Sequence, residues 1–554
     1  MWGKIGKTSM PRKKGISIHS RNSILQRQHL ESKDILSGAF NTENSNTPFV
    51  RPPLDTMHIF ELPPELFMSI MEQTVVTLEL RRALRARLVC KTFDRGLTGA
   101  IFTTAAIEKH RDSYGWVGKP IPAKWLVKLL EIRALERPRK HNRLLDTVHE
   151  TVSRIMHQCG KEDEEMRFAC LSSVCQAVAS WYHFTGWLID AISEDEPYHH
   201  NETVMMRGCL AAAAWMGNSQ LVEAFSGVDD INDDSSDLPS ALWAAARQGN
   251  MEIFQQLLHK GARGTISSNG AACLIGSTPF QSACWGGNKE LVRLLMETNP
   301  NIEPADIEKG LRCAASGNHV ELVQFLLERF EFREEAKSVA LHGACFYGAE
   351  DTTRLMLDRG TSTKYLNYAF KYLQPLATAS KHGHLAIVRL LVSRGVDLNF
   401  STGARHPDAV LLAASRGYIR IVEVLLDAGA QITTSIDDDT LARVAERGHE
   451  DMVKFLLDRG YPIGKGNKYD KKEGGEGRFV LGSACEQGQT SIVRLLAEYG
   501  VDIHSPNCYR IEELPIITAK RNGHDNVVDT LLELGVQKPK ELDSIQGKKS
   551  PFLL

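Results

Sequence analysis

Residues 241–262 read ALWAAARQGNMEIFQQLLHKGA, and their pattern decides the fold. An Ala-rich apolar segment runs to Gly249. Ile253 and Leu257 then fall at i, i+4 spacing, the stripe of a second amphipathic helix. Gly261 stops that helix. The same order returns as TPFQSACWGGNKELVRLLM from Thr278, PLATASKHGHLAIVRLLVSRGVDLN from Pro375 and VLLAASRGYIRIVEVLLDAGA from Val410. Aligned on the turn residue, ten copies emerge, at Gly217, Gly249, Gly287, Asn318, Gly348, Gly383, Gly417, Gly448, Gly488 and Gly523. Their mean spacing is 34 residues.

Each position of the copy has a physical reason. The turn needs positive φ, which Gly adopts freely and Asn tolerates, so Asn318 keeps the register. Four residues before the turn stands Ala in every copy except one, which has Val444. A small residue there lets helices approach closely. Eight and nine residues after the turn come apolar pairs such as Leu425–Leu426 and Leu456–Leu457. Twelve after it, Gly360, Gly395, Gly429, Gly460, Gly500 and Gly535 repeat the stop seen at Gly261.

This register resembles the ankyrin family, whose period is roughly 33 residues. Thr278-Pro279-Phe280 and Leu341-His342 keep pieces of the opening motif of that repeat. The resemblance implies a mainly all-α solenoid of about ten repeats over 203–538, presenting an extended surface of hairpin tips and inner helices. Most copies have lost the opening Thr and His that knit neighbours in the family, which implies a looser join. His384, His449 and His524 stand beside the turn, where the family places a structural His.

Upstream, residues 1–54 are rich in Ser, Asn, Lys, Arg and Pro and read as a disordered basic arm. Pro11-Arg12-Lys13-Lys14 has the composition of an import signal and equally of a solvated tail. Residues 55–104 are amphipathic. Leu62-Pro63-Pro64-Glu65-Leu66 opens a helix and Val89-Cys90-Lys91-Thr92-Phe93 closes the segment. These brackets resemble the F-box motif, with Phe93 where Trp is commoner and a longer stretch between the halves. The resemblance implies a ubiquitin-ligase adaptor as partner, held by Leu62, Pro63, Leu66, Ile70, Leu88, Val89 and Phe93; the alternative is a helical cap. Residues 105–202 carry helical patterns expected to pack on the first repeat, and 539–554 form a tail.

Composition narrows the function classes. The 554 residues exceed one compact core. A net charge of −2 gives no global basic field for nucleic acid. The longest apolar runs are too short for a membrane helix, and the N-terminal stretch lacks the apolar core of a secretion signal. The 11 cysteines, an odd number, read as reduced thiols, and the expected compartment is cytoplasm or nucleus.

No chemistry fits the candidate motifs. The acidic run 229–234 lacks the Gly and Glu of a calcium loop. Cys170 and Cys175 have no matching zinc pair, and His199-His200 reads as an exposed pair. Cys284, Cys345 and Cys485 take the small-residue slot after the Ala position. No cofactor and no enzymatic activity are expected; an unrecognised enzyme would show a bound cofactor or a cluster of perturbed groups in 105–200.

The reading is a non-catalytic protein-binding scaffold, with a substrate receptor of an SCF-type ubiquitin ligase as the alternative. Two turn-to-turn spacings are long, 38 residues before Gly287 and 40 before Gly488. Insertions between repeats map to one face, often the binding face. The second reads YPIGKGNKYDKKEGGEGRF from Tyr461. Its Lys465, Lys468, Tyr469, Lys471, Lys472 and Arg478 are the candidate contacts for an acidic partner patch; a solvated flexible loop is the competing reading.

Overall fold

The computed structural model describes residues 66–75, 91–104, 123–135, 142–160, 163–181 and 185–193. Through the repeats it describes 201–228, 231, 238–262, 278–299, 302–363, 374–399, 408–432, 440–461, 478–504, 506 and 513–545. The chain divides into two compact units, residues 1–104 and 105–554.

In the first unit, α1 (residues 66–75) and α2 (Lys91–Thr103) are helical. Met71 and Val75 of α1 and Leu97, Ile101 and Phe102 of α2 are buried. The helices meet at Gly96, where a Cβ would come within 2.7 Å of the Phe67 ring.

The second unit begins with α3 (Ala123–Leu135), α4 (Arg143–Cys159), α5 (Glu164–Trp181) and α6 (Thr185–Ser193). Asn142 caps α4 through the Leu145 N–H, 2.9 Å, and its amide donates to the Ala191 carbonyl of α6 at 2.8 Å. That one side chain satisfies an orphan helix donor and ties two helices together. Helices α4 and α5 pack on the first helix of repeat 1. Arg154 of α4 reinforces the join by donating to Glu202 at 2.8 Å.

The ten repeats are helix pairs. Repeats 1 to 5 pair Glu202–Met216 with Ser219–Phe225, Ala241–Gln248 with Met251–His259, Pro279–Gly286 with Lys289–Thr298, Pro304–Ser316 with Val320–Arg329, and Glu334–Tyr347 with Glu350–Asp358. Repeats 6 to 10 pair Pro375–His382 with Leu385–Ser393, Ala409–Ala414 with Ile419–Asp427, Thr440–Glu446 with Glu450–Asp458, Arg478–Glu486 with Thr490–Glu498, and Pro515–Arg521 with Asp525–Glu533. First helices stack on first helices, building one layer, and second helices form the other. The described residues contain no extended strand.

The turns fall where the sequence places them. All ten turn residues have φ between 62° and 81°, Asn318 among them. In every copy the residue after the turn donates its N–H to the carbonyl five residues before it, at 2.8–3.2 Å. These acceptors belong to the nine alanines and Val444, every one of them 0% exposed. The small residue therefore closes the helix end and lets neighbouring helices touch. On the second helices, Leu257, Leu425, Leu456 and Leu531 are equally buried, each contributing about 1.5–3 kcal/mol.

Repeats are knit by the residue after the turn. His319, His384, His449 and His524 donate Nε2–H to carbonyls of the preceding repeat, Trp285, Phe346, Ser415 and Glu486, at 2.8–3.1 Å. Asn288 and Gln489 reach Gly249 and Glu446 in the same way, at 3.1 and 3.3 Å. This explains the turn glycine a second time: a Cβ on Gly287 would stand 2.2 Å from the His319 ring. Asn318 does carry a Cβ, and the next repeat accordingly offers only Ala349. Asn318 makes the bond itself, accepting from the Thr352 N–H at 3.1 Å and donating to Asp351 at 3.0 Å.

Candidate interaction surface

Each first helix ends on two residues before the turn, preceded in nine of the ten copies by a buried small pair and in the tenth by Ala519-Lys520. Along the chain these slots read Trp215-Met216, Arg247-Gln248, Trp285-Gly286, Ser316-Gly317, Phe346-Tyr347, Lys381-His382, Ser415-Arg416, Glu446-Arg447, Glu486-Gln487 and Arg521-Asn522. Several of these carbonyls take the inter-repeat bonds above, and the slot side chains range from buried, as at Ser316, His382 and Ser415, to exposed, as at Tyr347.

From repeat 2 to repeat 6 they form a continuous strip. The Arg247 guanidinium lies 5.2 Å from the Trp285 ring centroid. Trp285 meets Tyr347 edge-on at 5.0 Å. That contact crosses repeat 4, whose slots hold only Ser316 and Gly317. Tyr347 abuts Phe346 at 4.8 Å, and Phe346 lies 4.2 Å from the His382 ring. Tyr347 is 40% exposed. A second ring group, Trp181, Trp215 and Trp243, joins α5 to repeats 1 and 2, and Trp243 is 1% exposed, so that group is core.

The strip is cationic. The buried Nη1 of Arg247 has no hydrogen-bond partner, and burial holds its pKa down to about 10. Lys381 is half-buried, and burial with the charges of Arg416 and Arg447 holds its ammonium below the usual range. Neither Arg247 nor Lys381 makes an ion pair among the described residues. Burial first, and then neighbouring cations, push His342 and His382 down to about 3. Arg312 and Lys381 act on His342; Lys381, Arg416 and His384 act on His382. His342 shares a 2.9 Å hydrogen bond with Thr378. What this arrangement offers is positive charge backed by aromatic faces.

The second-helix layer differs. Lys260 pairs with Glu223 at 2.9 Å, Arg359 with Glu328 at 3.1 Å, Arg394 with Asp358 at 2.8 Å and Arg459 with Asp427 at 2.7 Å. Each pair spans adjacent repeats.

Of the residues singled out by sequence, Lys465, Lys468, Tyr469, Lys471 and Lys472 lie outside the described residues, and Arg478 opens the first helix of repeat 9. Leu62, Pro63, Leu88 and Val89 also lie outside them. Leu66 and Ile70 stand one turn apart on α1, 55% and 38% exposed, and Phe93 lies on α2. The acidic run 229–234, apart from Ile231, and His199-His200 are likewise not among the described residues. Among those that are, no group of three or more His, Cys, Asp or Glu could hold a metal. Cys170 is buried and burial pushes its thiol up to about 11; Cys209 and Cys345 rise to about 12. Sequence reading missed Arg247, Trp285, Tyr347 and Lys381. The signal was there, in the two variable residues before each turn.

Comparison with known proteins agrees with the geometry. The family profile described as "Ankyrin repeats (3 copies)" matches residues 210–307, 341–437 and 441–541, more than half of the chain. The chain is 28% identical over 218 residues to the ankyrin repeat and KH domain-containing protein mask-1 of Caenorhabditis elegans, covering 39% of this chain and 8% of that protein. It is 28% identical over 266 residues to the human transient receptor potential cation channel subfamily A member 1, covering 45% and 22%. It is 23% identical over 325 residues to the ankyrin repeat domain-containing protein SAT10 of Stachybotrys chartarum, covering 52% and 16%. The matched part is thus under a quarter of each relative's length. The crystal structure of the human ASB11 ankyrin repeat domain aligns at 20% identity and a TM-score of 0.35, over 41% of this chain and 99% of that one.

Proposed function

The chain belongs to the ankyrin-repeat family, and from that premise we propose that it is a protein-binding scaffold whose contact surface is the slot edge of the first-helix layer in repeats 2 to 8. The observation that carries this reading is the pair of half-buried cations, Arg247 and Lys381, joined by an aromatic strip and matched by no carboxylate among the described residues. Aromatic and Arg side chains dominate interface energetics. Repeat arrays present such residues from successive copies as one surface. The connection 461–478 is a separate candidate contact for an acidic partner, since its five cations outnumber its three acids.

A photo-crosslinking residue at position 347 tests this in the full chain, with one at position 394 on the other layer as control. We expect a cross-linked protein at 347 and none at 394. Equal yields at both, or a product at 394 alone, would remove the assignment.

A second reading has its own observation. Leu66 and Ile70 present apolar surface on one face of α1, as an adaptor-binding F-box-like segment requires. It would make the chain a substrate receptor of an SCF-type ubiquitin ligase, acting in cytoplasm or nucleus. Recombinant adaptor should bind the wild type at micromolar concentration and not the Leu66→Ala, Ile70→Ala variant. Absence of binding by the wild type would leave 55–104 as a helical cap.

A further inference from the structure

The chemistry of the strip goes further than the fact of binding and points to what is bound. Resting on the scaffold reading above, we propose that the partner segment is an acidic peptide. Its carboxylates meet Arg247 at one end and Lys381 at the other, and its apolar residues lie on Trp285, Tyr347 and Phe346 between them.

The first argument is charge. A buried charge is costly unless paired. Arg247 has an enclosed Nη1 with no hydrogen-bond partner and touches the Trp285 ring instead. Lys381 stands beside Arg416 and Arg447. Arg312 adds a further positive charge near His342. Glu446, the acidic slot residue of repeat 8, is engaged by Arg443 at 4.0 Å. The chain does not lack the means to neutralise cations, because its second-helix layer pairs them repeat after repeat. At Arg247 and Lys381 no matching anion stands among the described residues, and the proposed partner supplies it. Such complementarity sets specificity and on-rate.

The second argument is span. Consecutive contacts of 5.2, 5.0, 4.8 and 4.2 Å link the Arg247 guanidinium to the His382 ring beside Lys381, so the strip between them is under about 20 Å long. An extended chain advances about 3.3–3.6 Å per residue and crosses it in about six residues. The middle of the strip is aromatic, from Trp285 to Phe346. A nucleic acid would lay a phosphate on every step of that apolar middle and would meet Glu446 and Glu486 in the slots of repeats 8 and 9. A peptide acidic at its ends and apolar between them fits both features.

The test pans a phage-displayed library of random sixteen-residue peptides against the full chain. The enriched consensus, labelled with fluorescein, is then titrated by anisotropy. We expect acidic residues clustered toward both ends of enriched peptides. Arg247→Gln with Lys381→Gln should weaken the consensus peptide at least about tenfold, as should a rise from 50 to 500 mM salt. Lys381→Gln alone, on an edge position that leaves the helix contacts intact, should weaken it severalfold, so a folding defect at Arg247 does not decide the outcome. Lys381→Glu should restore binding to a peptide with Lys at the matching position. Peptides without acidic excess that still depend on Trp285 and Tyr347 would overturn the acidic assignment and leave the scaffold surface standing. Binding indifferent to all four residues, or no enrichment, would overturn both. A fluorescein-labelled oligo-dT of twenty nucleotides that binds more tightly and depends on the same cations would replace the peptide by nucleic acid.

Discussion

The two layers of the repeat array treat charge in opposite ways. On the second helices, cations meet acids of the neighbouring repeat, from Lys260–Glu223 to Arg459–Asp427. On the slot edge of the first helices, Arg247 and Lys381 have no such partner among the described residues, and rings take the intervening space. The same helix pairs, in the same register, thus carry inter-repeat ion pairs along one layer and, at Arg247 and Lys381 of the other, cations set among rings.

Between the layers lies the wall of small buried residues that both depend on. Ala413 is 0% exposed and its carbonyl closes the turn onto Tyr418 at 3.1 Å. Ala413→Arg should cost about 4 kcal/mol or more, since it forces a long charged group into a close helix contact. Both faces would be lost together. A denaturation midpoint equal to wild type would remove Ala413 from that wall.

Acid should also destabilise the array through His342 and His382. His342 and His382 have folded pKa values of about 3, against about 6.5 unfolded. Between those values the unfolded chain binds more protons than the folded one, so stability rises with pH across the window. It is full above about 6.5 and falls as pH drops toward 3. These values correspond to about 3 kcal/mol per group between pH 7 and pH 4. Denaturation across that range should show a shallower slope in His382→Gln; an identical slope would leave His382 out of the cationic cluster.

The Asn318–Ala349 junction gives a smaller and more specific effect. Ala349→His alone should cost about 1–2 kcal/mol, because its ring meets the Cβ of Asn318. Combined with Asn318→Gly, which recreates the pairing of the other junctions, most of that loss should return. A double variant no better than the sum of the singles would show that the two positions do not compensate.

Smallest of all should be the second-layer pairs taken singly. Arg394 and Asp358 are both largely solvated, so Arg394→Ala should cost no more than about 1 kcal/mol and leave partner binding unchanged. Loss of binding would place that layer in the interface.

The fold was legible because it is periodic. Ten turn positions, the small residue before them and the glycine stops each repeat at fixed spacing, and each has a local physical reason. The reason for Gly287 that comes from His319 was not legible, since it belongs to two repeats at once. The strip escaped for the same cause: Arg247, Trp285, Tyr347 and Lys381 are unremarkable singly and become a surface only when turns about 34 residues apart are stacked. The connection 461–478 stood out by its length and charge, and its Lys465, Lys468, Tyr469, Lys471 and Lys472 lie outside the described residues. The helices α3 to α6 were expected from pattern, but Asn142 joining α4 to α6 is a contact no periodicity announces.

On the proposed reading, Arg247 and Lys381 carry charge for a partner at the expense of the array. Lys381→Met tests it most directly, by measuring thermal stability and affinity for the consensus peptide in the same preparation. Removing a half-buried ammonium crowded by Arg416 and Arg447 should leave the melting temperature equal or higher, while affinity falls severalfold. A variant that melts earlier and binds as wild type would show that Lys381 serves the fold, and would contradict the account.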